Sequence, residues 1–297
     1  MIPPAAKGTP PIRRVVLVAP GHVWSTFDVH TGLHLGLSAA GVRSYPYALD
    51  ERLEQAARWI KVRDGEHRKT IHEVAEEEIT PEIEETTKEV IYLAGAEIIN
   101  MALGVGADAV IVVAGLLFDP RLYIMLQRAR IPVFVFGTES PYNDSFYKSM
   151  VDMVGAFSTN ESSSLPVLQG VVKERGSDTQ VLHMPLGYDP ARHHPGVGDG
   201  TEFDMHDVVF VGNVYPSRQE TMAGMDWCGI DLGLYGVFTG MAADSRLWQY
   251  VRGGASFEQP FGTIDNRATA ALYDRSKIVL NLFRKEEYGR SWTEVRQ

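Results

Sequence analysis

The chain has 297 residues, which is enough for two domains of ordinary size. Its hydrophobic content of 44% is typical of a soluble globular protein, and its formal net charge of −10 argues against a general nucleic-acid binder, which needs clustered lysine and arginine. The single cysteine, Cys228, excludes a disulfide framework and a thiolate metal cluster, so we expect a cytoplasmic protein.

The N-terminal residues and the most apolar stretch of the sequence give two further expectations. Residues 1–11 are rich in proline and lack the apolar core of a signal peptide, which predicts a flexible leader. The most apolar stretch, residues 109–118, is too short to span a bilayer and is typical of a buried parallel strand. We therefore expect no membrane span.

Short β-branched runs alternate with helix-length segments over residues 12–190, which is typical of a parallel sheet covered by helices. The pattern predicts a helix over 27–40 that ends at Gly41, followed by a charged, solvated helical insertion over 50–78. The predicted strands are residues 14–19, 44–48, 110–114, 133–136, 156–159 and 181–184.

A long helix is predicted in the middle of this unit. Thr80 is a suitable N-cap, and Pro81 suits the first helical position. Apolar residues then recur at helical spacing until Gly104 and Gly106, where we expect the helix to end.

Residues 187–201 are rich in proline, glycine and histidine without periodicity, which indicates a hinge. We interpret the adjacent His193 and His194 as solvated hinge residues. Beyond the hinge the pattern restarts but yields only three strands. The predicted elements are strands 207–211, 231–235 and 277–282 and helices 218–228 and 267–274. The predicted fold is therefore α/β with two tandem Rossmann-like domains, residues 12–190 and 204–297, the second of them incomplete.

Several well-known site motifs are missing. The first strand is followed by Pro20-Gly21-His22, whereas a dinucleotide fingerprint needs three glycines, so NAD and FAD are disfavoured. No phosphate-binding loop pattern and no D-x-D pair occurs, which disfavours an NTPase and a metal-dependent sugar transferase.

Candidate catalytic residues follow strands of the first domain, because ligands of open α/β sheets lie beyond the carboxyl ends of the strands. His22, with Asp28 and His30 nearby, is placed to deprotonate an acceptor hydroxyl. Glu139 follows the strand over 133–136 and suits the same task. The alternative is that these are surface or helix-capping residues, with Thr138 or Ser140 capping the next helix.

The second domain offers a candidate anion site. The strand over 207–211 ends in Gly212, and Arg218 lies at the start of the following helix. Backbone N–H groups of that turn and the guanidinium group suit a diphosphate. The alternative is an ordinary strand–turn–helix unit with a surface arginine.

Three segments in order, DVVFVGNVYPSR, GIDLGLYG and LYDRSKIVLNLFR, resemble the C-terminal half of the spore-maturation-type (CgeB-like) glycosyltransferases, which have the GT-B fold. HMPLGYDP at 183–190 is similar to the family's passage between domains, so the resemblance covers about residues 180–284. It implies a metal-independent transferase without a separate cofactor, whose second domain binds a nucleoside diphosphate sugar donor and whose first domain binds the acceptor.

The resemblance also implies residue roles. Arg218 and Arg284 would neutralise charge on the departing diphosphate, and His22 or Glu139, with Asp28, would activate the acceptor. The implied donor-binding residues are Gly212, Asn213, Arg218, Tyr235, Gly236, Asn281 and Arg284, with Glu294 in the place of the family's ribose-binding glutamate.

The shortened second domain supports one alternative, a catalytically degenerate GT-B-like protein that binds a nucleotide or serves as a scaffold. A further alternative is a sugar-nucleotide epimerase of the same fold, which would need a carboxylate or a histidine beside the sugar in the second domain. The acceptor stays open between a protein side chain, a glycan, a metabolite and a modified base. An incomplete sheet leaves an exposed edge, which predicts either a homodimer or poor solubility.

Overall fold

The computed structural model describes residues 11–21, 26–74, 76–190, 194, 196, 205–238, 241–252 and 266–282. The chain divides into two compact units, the first ending at Leu186 and the second beginning at Gly187. Among the helices of the described residues, none combines the length and apolarity that crossing a membrane requires.

Unit 1 contains a sheet of six parallel strands in the order β2-β1-β3-β4-β5-β6. The order reverses direction between β1 and β3, as in doubly wound folds. The six predicted strands are confirmed to within a residue or two. They are β1 Arg14–Val18, β2 Arg43–Tyr47, β3 Ala109–Val113, β4 Val133–Phe136, β5 Ala156–Thr159 and β6 Gln180–His183.

Helices cover both faces of this sheet, which explains why β3 is buried along its whole length. Val16 and Val18 face the larger core, and Val15 and Leu17 face a smaller core under α1. The helices of unit 1 are α1 Phe27–Ala39, α2 Leu49–Asp64, α3 Pro81–Ala96, α4 Ile98–Val105, α5 Pro120–Arg128, α6 Asp144–Met150 and α7 Leu165–Glu174.

The predicted solvated insertion over 50–78 is wrong, because α2 packs against the main core. Leu49, Leu53, Ala56 and Ile60 are all buried there. Their spacing places them on one helical face, while the charged residues occupy the other.

The predicted long helix is two helices rather than one. Thr80 Oγ1 accepts the Ile83 N–H at 3.3 Å, which confirms the N-cap. The helix is then interrupted at Glu97, which lies between α3 and α4. Gly106, with φ 59°, ends α4 in the left-handed conformation that favours glycine.

The described part of unit 2 contains three parallel strands in the order β8-β7-β9. The strands are β7 His206–Val211, β8 Leu232–Tyr235 and β9 Ser276–Val279, and the helices are α8 Pro216–Gly224 and α9 Asn266–Asp274. The helix predicted over 218–228 therefore ends earlier than expected. Arg246 donates to the carbonyls of Ala223 and Met225, which satisfies the end of α8 at that point.

Candidate functional site

The loops beyond the carboxyl ends of β1, β3, β4 and β5 form the candidate site of unit 1, which we call the unit 1 edge. Asp28 lies in the first turn of α1, directly after the β1 loop, and is partly buried. His22 lies outside the described residues. Strands β1 and β4 flank β3, so their ends are about 10 Å apart at the strand spacing of a sheet.

Glu139 lies in a loop that is held firmly in place. The backbone N–H groups of Thr138 and Glu139 both donate to Tyr147 Oη, at 3.3 and 3.2 Å. Burial raises the pKa of Tyr147, so this hydroxyl remains neutral at ordinary pH. Helix α6 has Asn143 as its N-cap residue, so neither Thr138 nor Ser140 caps it. The capping alternative for this segment is therefore wrong.

Asn160, which no sequence motif marks, braces the same loop from the end of β5. Its Oδ1 accepts the Ser140 N–H and its Nδ2 donates to the Ser140 carbonyl, both at 3.1 Å. The two hydrogen bonds join the loop after β4 to the loop after β5. The Glu139 backbone is thereby fixed from two sides, which is what a positioned carboxylate requires.

The turn after β3 is a second feature that sequence reasoning missed. Ala114 and Gly115 both have positive φ, 60° and 77°. Alanine rarely adopts this conformation, and such strain is found preferentially at functional sites. An alanine–glycine pair directly after a buried strand is the only sequence signal of this turn.

His30 packs into the protein rather than facing the unit 1 edge. Its side chain is buried, and Nε2 lies 3.4 Å from the Leu17 carbonyl. Desolvation by burial lowers the pKa of His30 below its usual value. We therefore assign His30 to the packing of α1 on β1.

At the carboxyl ends of β7 and β8, two glycine turns lie against each other, and we call this region the unit 2 edge. Gly212 has φ 148° and Gly236 has φ 127°. A Cβ atom on Gly236 would lie 2.4 Å from the Gly212 carbonyl oxygen. Both turns therefore require glycine. Gly236 is buried against Gly212, whereas Gly212 is partly exposed, so the accessible backbone at this edge is that of Gly212.

Arg218 lies at the unit 2 edge and joins two of its loops. Nη1 donates to the Asn213 carbonyl at 2.6 Å, and Nε donates to the Leu282 carbonyl at 2.8 Å. The guanidinium carbon also lies 5.3 Å from the centre of the Tyr215 ring. The positive charge predicted at this edge is present, and its geometry links the turn after β7 to the segment after β9.

The other predicted donor-binding residues divide into two groups. Asn213 and Asn281 both have exposed side chains, at the turn after β7 and just beyond β9. Arg284 and Glu294 lie outside the described residues. The roles of all four stay predictions.

Tyr235 contributes its backbone, rather than its hydroxyl, to the unit 2 edge. The ring is buried and Oη lies 2.9 Å from His206 Nε2, at the start of β7. The other ring nitrogen of His206 lies 2.9 Å from Asp231 Oδ2. A Cβ atom on Gly233 would lie 2.6 Å from the His206 ring, so glycine is needed where the imidazole crosses β8.

No family model matches the chain, and no curated protein matches its sequence. Two solved structures align with 90% of this chain and 77% of their own chains at 11% identity. They are an alpha,alpha-trehalose-phosphate synthase (UDP-forming) from Burkholderia vietnamiensis, with a TM-score of 0.50, and an alpha,alpha-trehalose 6-phosphate synthase from Burkholderia multivorans, with a TM-score of 0.53. At this identity the likeness concerns the fold alone, and it confirms the predicted α/β fold of the GT-B type.

Proposed function

We propose that the protein is a metal-independent glycosyltransferase that moves a sugar from a nucleoside diphosphate sugar to an acceptor hydroxyl. The observation that carries the proposal is the contact of Gly212 with Gly236 at the unit 2 edge. Open α/β sheets bind ligands beyond the carboxyl ends of their strands. Because Gly236 is buried beneath it, the partly exposed Gly212 turn is held at that place without a side chain of its own, which lets a diphosphate approach its backbone closely.

Arginine side chains are proposed to supply the positive charge that stabilises the departing diphosphate. When the glycosidic bond to the donor breaks, negative charge develops on the departing diphosphate. Arg218 holds a permanent positive charge at the unit 2 edge, fixed by its two backbone hydrogen bonds. Arg284 is proposed as a second cation, and Asn213 and Asn281 as hydrogen-bonding groups for the nucleotide.

The acceptor is proposed to bind at the unit 1 edge. The Glu139 carboxylate, on a loop braced by Tyr147 and Asn160, accepts the proton of the attacking hydroxyl. His22 and Asp28 are further proposed participants beside β1. The CgeB-like family remains our proposed relationship within the GT-B group.

The first donor to test is a UDP sugar, because one structurally similar protein is described as UDP-forming. Calorimetry with UDP, GDP and dTDP on the full chain measures nucleotide binding directly. Arg218→Ala is expected to weaken binding of the preferred nucleotide about tenfold or more, since a charge-assisted contact is lost. Lys277→Ala is the matched control, because Lys277 pairs with Asp207 at the other end of the same sheet.

Turnover is tested separately by release of UDP from UDP-glucose. Glu139→Gln is expected to abolish transfer and to leave UDP binding unchanged, since Glu139 lies in unit 1 and Arg218 lies in unit 2. The absence of binding by any of the three nucleotides would refute the donor site itself.

One observation favours binding without turnover as the second candidate function. Two of the donor groups of Arg218 are already engaged by backbone carbonyls, which is also what a structural arginine would show. In that case UDP binds without a contact from Arg218, so Arg218→Ala leaves UDP affinity unchanged, and no UDP is released from UDP-glucose.

A further inference from the structure

The amino ends of β4, β5 and β6 surround a cavity of about 430 Å³, within the size range of small-molecule sites. It lies at the opposite edge of the unit 1 sheet from Glu139, so it is separate from the proposed acceptor site. Its apolar wall includes Ile131, Pro132 and Val154.

We propose that this cavity binds a small organic anion that carries hydroxyl groups, of the size of a monosaccharide phosphate. Arg130 lines the cavity and is exposed. Within the described part of the chain, its side chain has no hydrogen-bond or ion-pair partner. A free guanidinium group at the mouth of a cavity is suited to bidentate binding of a phosphate or carboxylate.

The backbone of Arg130 supplies an independent observation. The residue has φ 58° and follows α5 at the position where helices usually end in glycine. Its N–H donates to the Gln127 carbonyl at 2.9 Å, and the next N–H, that of Ile131, donates to Leu126 at 3.0 Å. Glycine would make the same turn without strain, so the arginine side chain serves something other than the turn.

The wall opposite Arg130 is preorganised by hydrogen bonds. Thr179 Oγ1 donates to the Val154 carbonyl at 2.7 Å and lies 2.9 Å from Ser177 Oγ. The Asp152 carboxylate is neutralised by Arg175 at 2.6 Å. The local charge left to a ligand is therefore that of Arg130 and of Asp178, whose carboxylate has no partner among the described residues.

These groups define the chemistry of the ligand. Its anionic group contacts Arg130, its hydroxyl groups donate to Asp178, and Gln127 offers an amide to either part. Its carbon skeleton packs on the apolar wall. A monosaccharide phosphate fits this volume.

The test is calorimetry and thermal shift of the full chain with glucose 6-phosphate, glucose and inorganic phosphate as probes. We expect saturable binding of glucose 6-phosphate, weaker binding of phosphate and the weakest binding of glucose. Arg130→Gly is expected to weaken glucose 6-phosphate binding about tenfold or more. The same variant is expected to raise the melting temperature of unit 1 by about 2–4 °C, because it relieves the left-handed arginine.

Three further variants assign the contacts. Arg128→Ala removes an exposed positive charge at the end of α5, two residues before Arg130 and outside the cavity lining, and is expected to leave binding unchanged. Asp178→Asn is expected to weaken glucose 6-phosphate binding but not phosphate binding. Glu139→Gln is expected to leave both unchanged, which separates this site from the proposed acceptor site.

The proposal is overturned if none of the probes binds, or if glucose binds as tightly as glucose 6-phosphate. It is equally overturned if Arg130→Gly binds like the wild type, or if Glu139→Gln abolishes the binding. Each of these outcomes leaves the proposed glycosyl transfer at the other edge untouched.

Discussion

Replacing Gly236 with alanine is the sharpest test of the unit 2 edge. At φ 127° an L side chain is strained by about 1–3 kcal/mol. The added Cβ would also lie 2.4 Å from the carbonyl oxygen and 3.0 Å from the nitrogen of Gly212, and relieving such overpacking costs about 1–3 kcal/mol. The expected loss in the free energy of unfolding of unit 2 is therefore about 2–6 kcal/mol.

Urea unfolding followed by tryptophan fluorescence measures this loss, since Trp227 is a buried reporter in unit 2. Gly224→Ala is the matched control, because no atom lies within 4 Å of a Cβ atom there. We expect the control to stay within about 1 kcal/mol of the wild type. If Gly236→Ala unfolds at the wild-type urea concentration and binds UDP equally well, the close approach of the two glycine turns is refuted.

The remaining predictions concern the two units separately. Tyr235→Phe is expected to destabilise unit 2 by about 1–3 kcal/mol, because the hydrogen bond to His206 is lost. In a His206→Ala background the same substitution is expected to cost clearly less, which a double-mutant cycle in urea measures. Equal costs in both backgrounds would contradict the hydrogen bond. Because the folded pKa of His30 is lowered, the unfolded state binds more protons, and stability falls as pH decreases through about 6.5. His30→Leu is expected to flatten the decline in melting temperature between about pH 7.5 and 5.5. The control variant His67→Leu, at an exposed histidine, is expected to show the same decline as the wild type. Asn160→Ala is expected to lower kcat for transfer without changing UDP affinity, and a variant with wild-type kcat would show that the brace is unnecessary.

The strands of both units follow from the sequence because buried parallel strands are continuous β-branched runs bounded by turn residues. The composition of α2 does not predict its burial, and the reason is identifiable. Its apolar residues Leu49, Leu53, Ala56 and Ile60 recur at helical spacing, but the high charge of the surrounding residues dominates the composition. Here the period, rather than the average polarity, decides which face is buried.

The site residues differ in how far sequence predicts them. Gly212 and Gly236 are visible as glycines after strands, but their mutual contact depends on the pairing register of β7 with β8. The hydroxyl of Tyr235 reaches His206 for the same reason, across two strands that are joined by a helix. Such contacts belong to tertiary structure, and no local pattern encodes them.

The order β8-β7-β9 has a consequence for the sequence of events in folding. β7 and β8 are separated by about 20 residues of chain, and β7 and β9 by about 60, so closing the second loop costs about 1 kcal/mol more in chain entropy. Among the strands that the structure describes, β9 pairs with β7 alone, and Ile278 and Val279 are exposed on it. It is therefore expected to dock last and to detach first. Amides of β9 should exchange with solvent deuterium before those of β7, and the segment after β9, which Arg218 ties to the turn after β7, should loosen with it.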